Sequence, residues 1–378
     1  MRGAASAPPH SFLHEAHTKL ALERPGNVRD PYSHAQSRSS AMKAIGYYTP
    51  GSIDRDDALL DLDVPAPVAG PRDLIVRVKA ISINPADTQF RASATPPEGA
   101  AKILGWDAAG IVEAVGSEVT LFEVGDEVFY AGDMTRPGAN AELHAVDERI
   151  VGRKPRTLGW AEAAAMPLTS LTAWELLFDR LRVPYGEGRG EGTLLVINGA
   201  GGVGSILVQI ARRLTGLTVI ATASRPETID WVQRMGAHHV IDHHKPLDEE
   251  LARIGIPEVD YVAGLTGTER HLPILPKIIA PQGHLAMIDN AKHFDIVGLK
   301  RKSITVSWEL MFTRAAYQTD DMIAQHEILD EVSALLDQGV LRTTLTHQDS
   351  PINAANLKRM HAIAESGRAI GKLVLTDF

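Results

Sequence analysis

Alternating apolar and polar positions dominate the chain between residues 42 and about 166. Leu74, Val76 and Val78 stand at every second position, with the polar residues Arg77 and Lys79 beside them, which is typical of a strand with one buried face. Glycines separate further short apolar segments in this region, such as Gly110–Val115. Short strands divided by frequent turns predict a β-rich domain, built as a barrel or a sandwich.

The pattern changes after Pro167, where continuous apolar segments alternate with amphipathic helices. One of these helices opens at Pro226 and ends at Gly236, a residue suited to a left-handed helix cap. The predicted strands lie at Thr193–Ile197, Leu217–Thr222, Val240–Ile241, Val259–Ala263, His284–Ile288 and Ser303–Ser307. Six strands alternating with helices predict an α/β fold, the doubly wound parallel sheet of the Rossmann type.

The alternation of strands and helices ends near residue 313. The remaining segment contains a predicted helix at Met322–Leu336 and a late strand at Lys372–Leu375. We expect residues 42–166 and 313–378 to form one β-rich catalytic domain. Residues 167–312 would then form the Rossmann domain.

Residues 1–41 differ in composition from the rest of the chain. They are rich in Pro, Ser and Ala, with scattered Arg and no apolar periodicity, which is typical of a disordered extension. The apolar core of a secretory signal is missing. We expect Met42 to be the functional start of the protein, with an organelle transit peptide as the alternative, and we expect a cytoplasmic location.

Composition narrows the class of protein. The 378 residues are 44% apolar and 22% charged, which suits a globular protein of two domains. The net charge of −9 argues against broad nucleic-acid binding, and no apolar run approaches the roughly 20 residues of a membrane helix. The chain contains no cysteine, which excludes disulfides, thiolate metal sites and a cysteine nucleophile.

A glycine-rich segment connects the first Rossmann strand to the following helix. Its residues are Gly199, Ala200, Gly201, Gly202, Val203 and Gly204. Such glycines permit a tight turn and a close approach of the backbone to a pyrophosphate, while the helix N-terminus offers free N–H groups to the anion. The segment predicts a dinucleotide-binding turn; a turn that only packs helix on strand is the alternative.

The end of the second Rossmann strand distinguishes the two nicotinamide cofactors. An NAD site usually places Asp or Glu there to bind the ribose hydroxyls. This chain has Ser224 and Arg225, and the nearest carboxylate is Glu227. Ser224 can donate to a 2′-phosphate and Arg225 can pair with it, so we predict NADPH. The alternative is that Arg225 is only a solvated residue before Pro226.

Together these features resemble the medium-chain dehydrogenase/reductase superfamily, over residues 42–378. Within it the chain is similar to the zinc-independent quinone oxidoreductase branch, which includes proteins called zinc-type alcohol dehydrogenase-like. Besides the glycine turn, the motifs that carry the resemblance are Ile83-Asn84-Pro85-Ala86-Asp87-Thr88, Leu104-Gly105-Trp106-Asp107-Ala108-Ala109-Gly110, Gly125-Asp126-Glu127-Val128 and Pro167-Leu168-Thr169-Ser170-Leu171-Thr172-Ala173. The resemblance implies a GroES-like catalytic domain beside the Rossmann domain, and a homodimer joined at sheet edges.

The resemblance also shows where a zinc site would be expected and is not found. The zinc alcohol dehydrogenases of this superfamily use two cysteines and a histidine. Here Ile83–Pro85 offers no cysteine, and Gly105-Trp106-Asp107 stands in place of their Gly-His-Glu. A histidine-rich segment at 238–244 brackets a predicted strand, so we expect its side chains to point apart. We predict no metal site.

The resemblance suggests roles for residues around the reaction centre. Asn84 matches a residue that faces the active cleft, where its amide could donate to a carbonyl oxygen; alternatively it fixes the turn before Pro85. Some relatives carry a tyrosine five residues later, but here that residue is Gln89. Tyr130 is our candidate proton donor, with Tyr48 and bulk water as alternatives.

Three further residues are placed by the resemblance alone. Thr169 would contact the nicotinamide region, and Lys372 would approach the cofactor from the other domain. Trp106 would form an apolar wall of the cleft, suited to a flat substrate. The expected function is an NADPH-dependent, zinc-independent reductase of quinones or α,β-unsaturated carbonyls. The alternatives are an NADPH-binding sensor with little turnover and, disfavoured by the missing cysteines, a zinc-dependent alcohol dehydrogenase.

Overall fold

The computed structural model describes residues 41–378, which form three sheets and their covering helices. The strands are β1 (Ala41–Tyr47), β2 (Leu60–Pro65), β3 (Asp73–Ile83), β4 (Lys102–Ile103), β5 (Asp107–Val115), β6 (Glu127–Tyr130), β7 (Leu143–Asp147), β8 (Val151–Arg153), β9 (Thr193–Ile197), β10 (Thr218–Thr222), β11 (His239–Ile241), β12 (Val259–Gly264), β13 (Ile279–Met287), β14 (Thr305–Trp308), β15 (Leu345–Asp349) and β16 (Lys372–Thr376). The helices are α1 (Pro85–Ser93), α2 (Trp160–Ala164), α3 (Pro167–Trp174), α4 (Gly202–Leu214), α5 (Pro226–Met235), α6 (Leu247–Arg253), α7 (Leu275–Ile278), α8 (Thr313–Ala316), α9 (Ala324–Asp337) and α10 (Ala354–Glu365). The expectation for residues 1–41 falls outside the described residues except at Ala41, which already belongs to β1.

The six-stranded sheet has the order β11-β10-β9-β12-β13-β14, and all its neighbouring strands are parallel. Its central strands are buried on both faces because helices cover them, which explains their continuous apolar sequence. The predicted doubly wound α/β fold is confirmed. Helix α5 ends as expected at Gly236, whose φ of 113° is left-handed.

The start of the fifth strand in this sheet was predicted wrongly by five residues, whereas the other boundaries differ by no more than two residues. The sequence placed the fifth strand at His284–Ile288, but β13 already begins at Ile279, which pairs with Val259. Pro281 and Gly283 suggested a turn before the strand. The structure instead has a register shift between these pairs, so the strand continues through an irregular segment.

The seven-stranded sheet has the order β15-β16-β3-β5-β6-β8, and β7 also pairs with β3. Strand β16 lies antiparallel to β3. The late strands β15 and β16 therefore extend a sheet whose other strands come from residues 73–153. The expectation of a half-buried β3 was wrong for much of the strand: only Arg77 is exposed, because β5, β7 and β16 pair with it and α2 and α10 pack on it. The smallest sheet has the order β2-β1-β4.

The segment before β16 also contacts the Rossmann sheet. The backbone N–H of Gly371 donates to the carbonyl of Ala200 in the glycine turn, at 2.9 Å. Gly371 has a φ of +56°, and a Cβ there would lie 2.3 Å from the carbonyl oxygen of Thr344, so glycine is required. This contact brings Lys372 to the glycine turn. Within residues 41–378, no helix combines the length and apolar character needed to cross a bilayer.

Candidate functional site

The glycine turn joins β9 to α4 and is too tightly packed for side chains at two of its positions. A Cβ on Gly204 would lie 2.6 Å from the carbonyl oxygen of Gly199, and one on Gly199 would lie 2.8 Å from the Cβ of Ala221 on β10. The first N–H groups of α4 have no partner within the helix, and no acidic residue occupies its first turn. The turn therefore offers a compact anion-binding surface.

At Gly202 the glycine turn lies next to two other residues predicted for the cofactor site. A Cβ on Gly202 would lie 3.0 Å from Cδ of Lys372 and 3.1 Å from Cγ2 of Thr169. The hydroxyl of Thr169 donates to the carbonyl of Met166 at 3.3 Å, which leaves its methyl group toward the turn. Residues from α3, α4 and β16 thus meet at one point, and their role in holding a cofactor stays a prediction.

Ser224 and Arg225 lie at the end of β10, beside the N-terminus of α5. Nη2 of Arg225 donates to the carbonyl of Arg368 at 3.0 Å, and Nε lies 3.3 Å from the Glu227 carboxylate. The Arg225 side chain is 29% exposed. These contacts anchor the guanidinium and leave further N–H groups for an anionic ligand.

A buried charged cluster lies next to the glycine turn. Nζ of Lys372 donates to Asp107 Oδ2 at 2.8 Å, to the carbonyl of Ile83 at 3.0 Å and to Asn84 Oδ1. Nδ2 of Asn84 also donates to Asp107 Oδ2, at 2.8 Å. Lys372 and Asn84 were predicted, but Asp107 was noted only as part of a motif without its histidine. The sequence does hold a signal for Asp107, because a charged residue at the start of an apolar strand becomes buried. A buried charge needs a partner of opposite charge.

Asp87 holds the turn that precedes α1. Its Oδ2 accepts from the backbone N–H of Asn84 at 2.8 Å, and its Oδ1 accepts from that of Gly105 at 3.1 Å. The Asn84 side chain is therefore not what fixes the turn, and it is directed to the charged cluster instead. Burial raises the pKa of Asp87 to about 7, although the Asn84 N–H and Lys372 act in the opposite direction.

The donor set beside Asp107 does not fit zinc. Oδ1 of Asp107 accepts from the backbone N–H of Leu168 at 2.7 Å, and Oδ2 accepts from Asn84 and Lys372. The ammonium of Lys372 would repel a divalent cation, and Trp106 offers no ligand atom. Across residues 41–378, no three His, Cys, Asp or Glu side chains are grouped so that they could hold a metal ion.

The histidines around β11 have separate partners. Nδ1 of His238 accepts from the backbone N–H of Val219 at 2.9 Å. Nδ1 of His243 lies 3.1 Å from Oγ1 of Thr222. His244 is 63% exposed and lies near Asp242. The rings of His243 and His244 pack edge-on with a centroid distance of 4.6 Å, whereas His238 is hydrogen-bonded to β10, so the segment does not form one set of metal ligands.

Trp106 packs against two aromatic rings from distant segments of the chain. Phe90 of α1 packs edge-on with a centroid distance of 4.9 Å, and Phe312, which follows β14, packs edge-on at 5.3 Å. Trp106 is only 2% exposed. The carboxyl end of β14 lies on the same edge of the parallel sheet as the glycine turn, so the aromatic cluster lies on the edge where such sheets bind ligands.

Tyr130 is buried, and its hydroxyl already donates a hydrogen bond to another side chain. Nε2 of His144 lies 3.0 Å from the carbonyl of Pro137, which can only accept, so Nε2 carries the hydrogen. Burial lowers the pKa of His144 to about 4, so the ring is neutral at pH 7 and its Nδ1 accepts from Tyr130 Oη at 3.1 Å. Burial also raises the pKa of Tyr130. Tyr130 as the proton donor stays a prediction.

Two family models match this chain. The model described as the alcohol dehydrogenase GroES-like domain covers residues 70–174. The model described as zinc-binding dehydrogenase covers residues 202–325. The first range contains Asn84, Asp107 and Tyr130, and the second contains Gly202, Val203 and Gly204 of the glycine turn together with Arg225.

Individual proteins are similar over nearly their whole length. A zinc-type alcohol dehydrogenase-like protein from Staphylococcus aureus (strain MSSA476) is 39% identical over 88% of this chain and 99% of its own. A protein provisionally named as a zinc-dependent alcohol dehydrogenase, from Rhizobium etli CFN 42, has a solved structure with a TM-score of 0.86 and 55% identity, covering 90% of this chain and 99% of its own. The structure of Escherichia coli quinone oxidoreductase complexed with NADPH has a TM-score of 0.74 and 26% identity, covering 88% and 99%.

Proposed function

The chain belongs to the medium-chain dehydrogenase/reductase superfamily, in its quinone oxidoreductase-like branch, and on that basis we propose that it is an NADPH-dependent reductase of quinones or α,β-unsaturated carbonyls that works without zinc. The observation that carries the proposal is the Lys372–Asp107–Asn84 cluster beside the glycine turn. Its hydrogen bonds occupy both carboxylate oxygens of Asp107. We also propose residues 42–166 with 313–378, and residues 167–312, as the two domains.

The residues present fit a dinucleotide. The free N–H groups of Gly202, Val203 and Gly204 would hold the pyrophosphate, while Thr169 and Lys372 line the adjoining space. Ser224 and Arg225 would hold the 2′-phosphate of NADPH; residues 222–225 include no acid, and the nearest carboxylate, Glu227, is paired with Arg225. NADPH supplies the hydride.

The chain's own residues position the acceptor and stabilise its oxygen. Hydride addition to the β-carbon of an enone moves the C=C electrons to the carbonyl oxygen, and a proton then completes the saturated product. Asn84 has two amide hydrogens, and only one of them is held by Asp107. The other can donate to the acceptor oxygen, while the contact from Lys372 keeps the amide from rotating.

The test of this function is NADPH oxidation with a panel of quinones, enones and aldehydes. We expect turnover with quinones or enones that persists after strong chelation, with no stoichiometric metal by elemental analysis. Activity that disappears on chelation and returns with zinc would contradict the zinc-free mechanism.

A second candidate function is an NADPH sensor with little turnover. The observation that favours it is the hydroxyl of Tyr130, whose proton is held by His144. Tight NADPH binding without oxidation by any acceptor in the panel would support the sensor over the reductase.

The choice of NADPH over NADH is tested at Arg225. Charge-assisted hydrogen bonds contribute about 1.5–3 kcal/mol, so Arg225→Ala should weaken NADPH binding by about 10- to 150-fold and leave NADH binding unchanged. Arg234→Ala, at the other end of α5, is the matched control. Equal affinity of the unaltered protein for both cofactors would refute the assignment.

Tyr130 is tested by removing only its hydroxyl. If Tyr130 passes the proton to the product, Tyr130→Phe should lower turnover by about 10²- to 10⁴-fold. Turnover equal to that of the unaltered protein would assign proton delivery to water instead.

We further propose that two copies pair through β14, the outer strand of the Rossmann sheet. An edge strand presents unpaired backbone groups, and Trp308 on β14 and Leu310 just beyond it are 55% and 51% exposed. Light scattering should give twice the chain mass, and Trp308→Asp should shift it toward the single chain. A single-chain mass for the unaltered protein would contradict this pairing.

A further inference from the structure

The indole of Trp106 carries a buried N–H that has no partner. Within residues 41–378, Nε1 of Trp106 forms no hydrogen bond, although the residue is only 2% exposed. An indole nitrogen can only donate, and a buried donor left without an acceptor destabilises the folded state. Buried tryptophans usually find a partner for this group, so the unpaired N–H needs an explanation.

Trp106 is the neighbour in sequence of the charged cluster that we propose to position the acceptor. Trp106 directly precedes Asp107, which is hydrogen-bonded to Asn84 and Lys372. Phe90 and Phe312 pack edge-on against the indole and fix its orientation. A flat conjugated molecule suits a space lined by aromatic rings.

The ring edge next to the N–H is not tightly packed against Gly132. A Cβ placed on Gly132 would lie 3.6 Å from Cδ1 of Trp106, the carbon bonded to Nε1, and 3.7 Å from Cε1 of His144. These are ordinary contact distances, so a methyl-sized group on Gly132 would fit beside Cδ1. Gly132 has a φ of +64°, which keeps this position free of a side chain.

We propose that the indole N–H of Trp106 donates a hydrogen bond to the carbonyl oxygen of the acceptor, where negative charge develops as the hydride arrives. The inference rests on the proposed reductase function and adds a second donor beside Asn84. The indole keeps its proton throughout: the hydride adds to carbon, the electron pair moves to oxygen, and a separate proton completes the product. A fixed donor in an apolar environment stabilises such an oxygen more strongly than water does.

The first test observes the indole directly and does not depend on turnover. The chain contains five tryptophans, so ¹⁵N-indole labelling gives five N–H signals, and Trp106→Phe identifies the one from Trp106. Adding cyclohex-2-enone in the presence of NADP⁺ forms a complex that has no hydride to transfer. We expect the Trp106 signal to move downfield, whereas cyclohexene, which lacks the carbonyl, leaves it in place. A Trp106 signal unchanged up to the solubility limit of the enone overturns the proposal.

The second test measures single-turnover oxidation of bound NADPH by benzoquinone. Trp106→Phe keeps an aromatic ring but removes the donor, and we expect a rate about 100-fold lower with unchanged NADPH affinity. Trp106→His restores a ring N–H and should recover part of the rate. Trp174→Phe, which alters a tryptophan packed against Phe178 and Tyr185, is the matched control.

The outcomes separate this inference from the proposed function. If none of the tested acceptors supports NADPH oxidation by the unaltered protein, both the reductase function and the role of Trp106 are overturned. An active unaltered protein whose Trp106→Phe variant is equally fast overturns only the role of Trp106. If Trp106→Phe is slow but Trp106→His is no faster, and the indole signal stays in place, the ring acts only by packing and the proposal also fails.

Discussion

Removing the buried ammonium of Lys372 tests the charged cluster most sharply. The Lys372 and Asp107 side chains are 3% and 0% exposed, and Nζ lies 2.8 Å from the carboxylate. At an effective dielectric constant of about 20, two charges at that distance attract by about 6 kcal/mol, which the desolvation of both ions offsets. Lys372→Met leaves the carboxylate buried without a counter-charge. Such truncations cost about 3–5 kcal/mol, and we expect that loss in the free energy of unfolding.

The assay is a double-mutant cycle at Lys372 and Asp107. The free energy of unfolding of each variant is measured by urea denaturation at pH 7, with tryptophan fluorescence as the signal. Asp107→Asn removes the other charge, and the double variant no longer buries an unpaired ion. We expect the double variant to lose about 2 kcal/mol less than the sum of the single losses. Lys43→Met, at an exposed lysine on β1, is the control and should change the free energy by less than about 0.5 kcal/mol. Additivity within about 0.5 kcal/mol would refute the coupling between the two charges.

Two further predictions concern the glycine turn and a second buried pair. Gly204→Ala places a Cβ 2.6 Å from a backbone oxygen and should lower the melting temperature by several degrees. Gly201→Ala is the control and should not lower it, because the atom nearest to its Cβ lies at 3.8 Å. Equal shifts in the two variants would contradict the packing argument. Burial and the neighbouring Glu175 raise the pKa of Glu309, although its ion pair with Arg180 acts in the opposite direction. The folded state therefore binds this proton more tightly than the unfolded state does, so stability falls as the pH rises above the ordinary pKa of a glutamate, about 4.3. Glu309→Gln should show a flatter pH dependence of melting temperature, and an unchanged slope would refute this assignment.

Most of the Rossmann sheet could be predicted because its signals are local. A strand buried on both faces needs a continuous apolar segment, and β9 and β10 have one. Glycines at the turn between β9 and α4 follow from steric contacts within a few residues. The start of β13 could not be predicted, because pairing with β12 overrides the turn residues that precede His284.

The candidate site was predictable only in part. The glycine turn, Thr169 and Lys372 were identified, and the structure brings them together around Gly202. The partner of the Asn84 side chain and the role of Asp87 in the turn were missed. Neither the acceptor of the Tyr130 hydroxyl nor the unpaired N–H of Trp106 leaves any pattern in the sequence.

The sequence by itself determined the alternation of strands and helices in the Rossmann sheet, the position of the glycine turn and the exclusion of cysteine zinc ligands. These depend on side-chain periodicity, on glycine and on residue type, which act over short distances along the chain. Only the tertiary structure decided which buried charges pair, because Asp107 and Lys372 are 265 residues apart and meet through the return of β16 to β3. A buried charge requires a partner, but the fold selects that partner by bringing distant strands together in space.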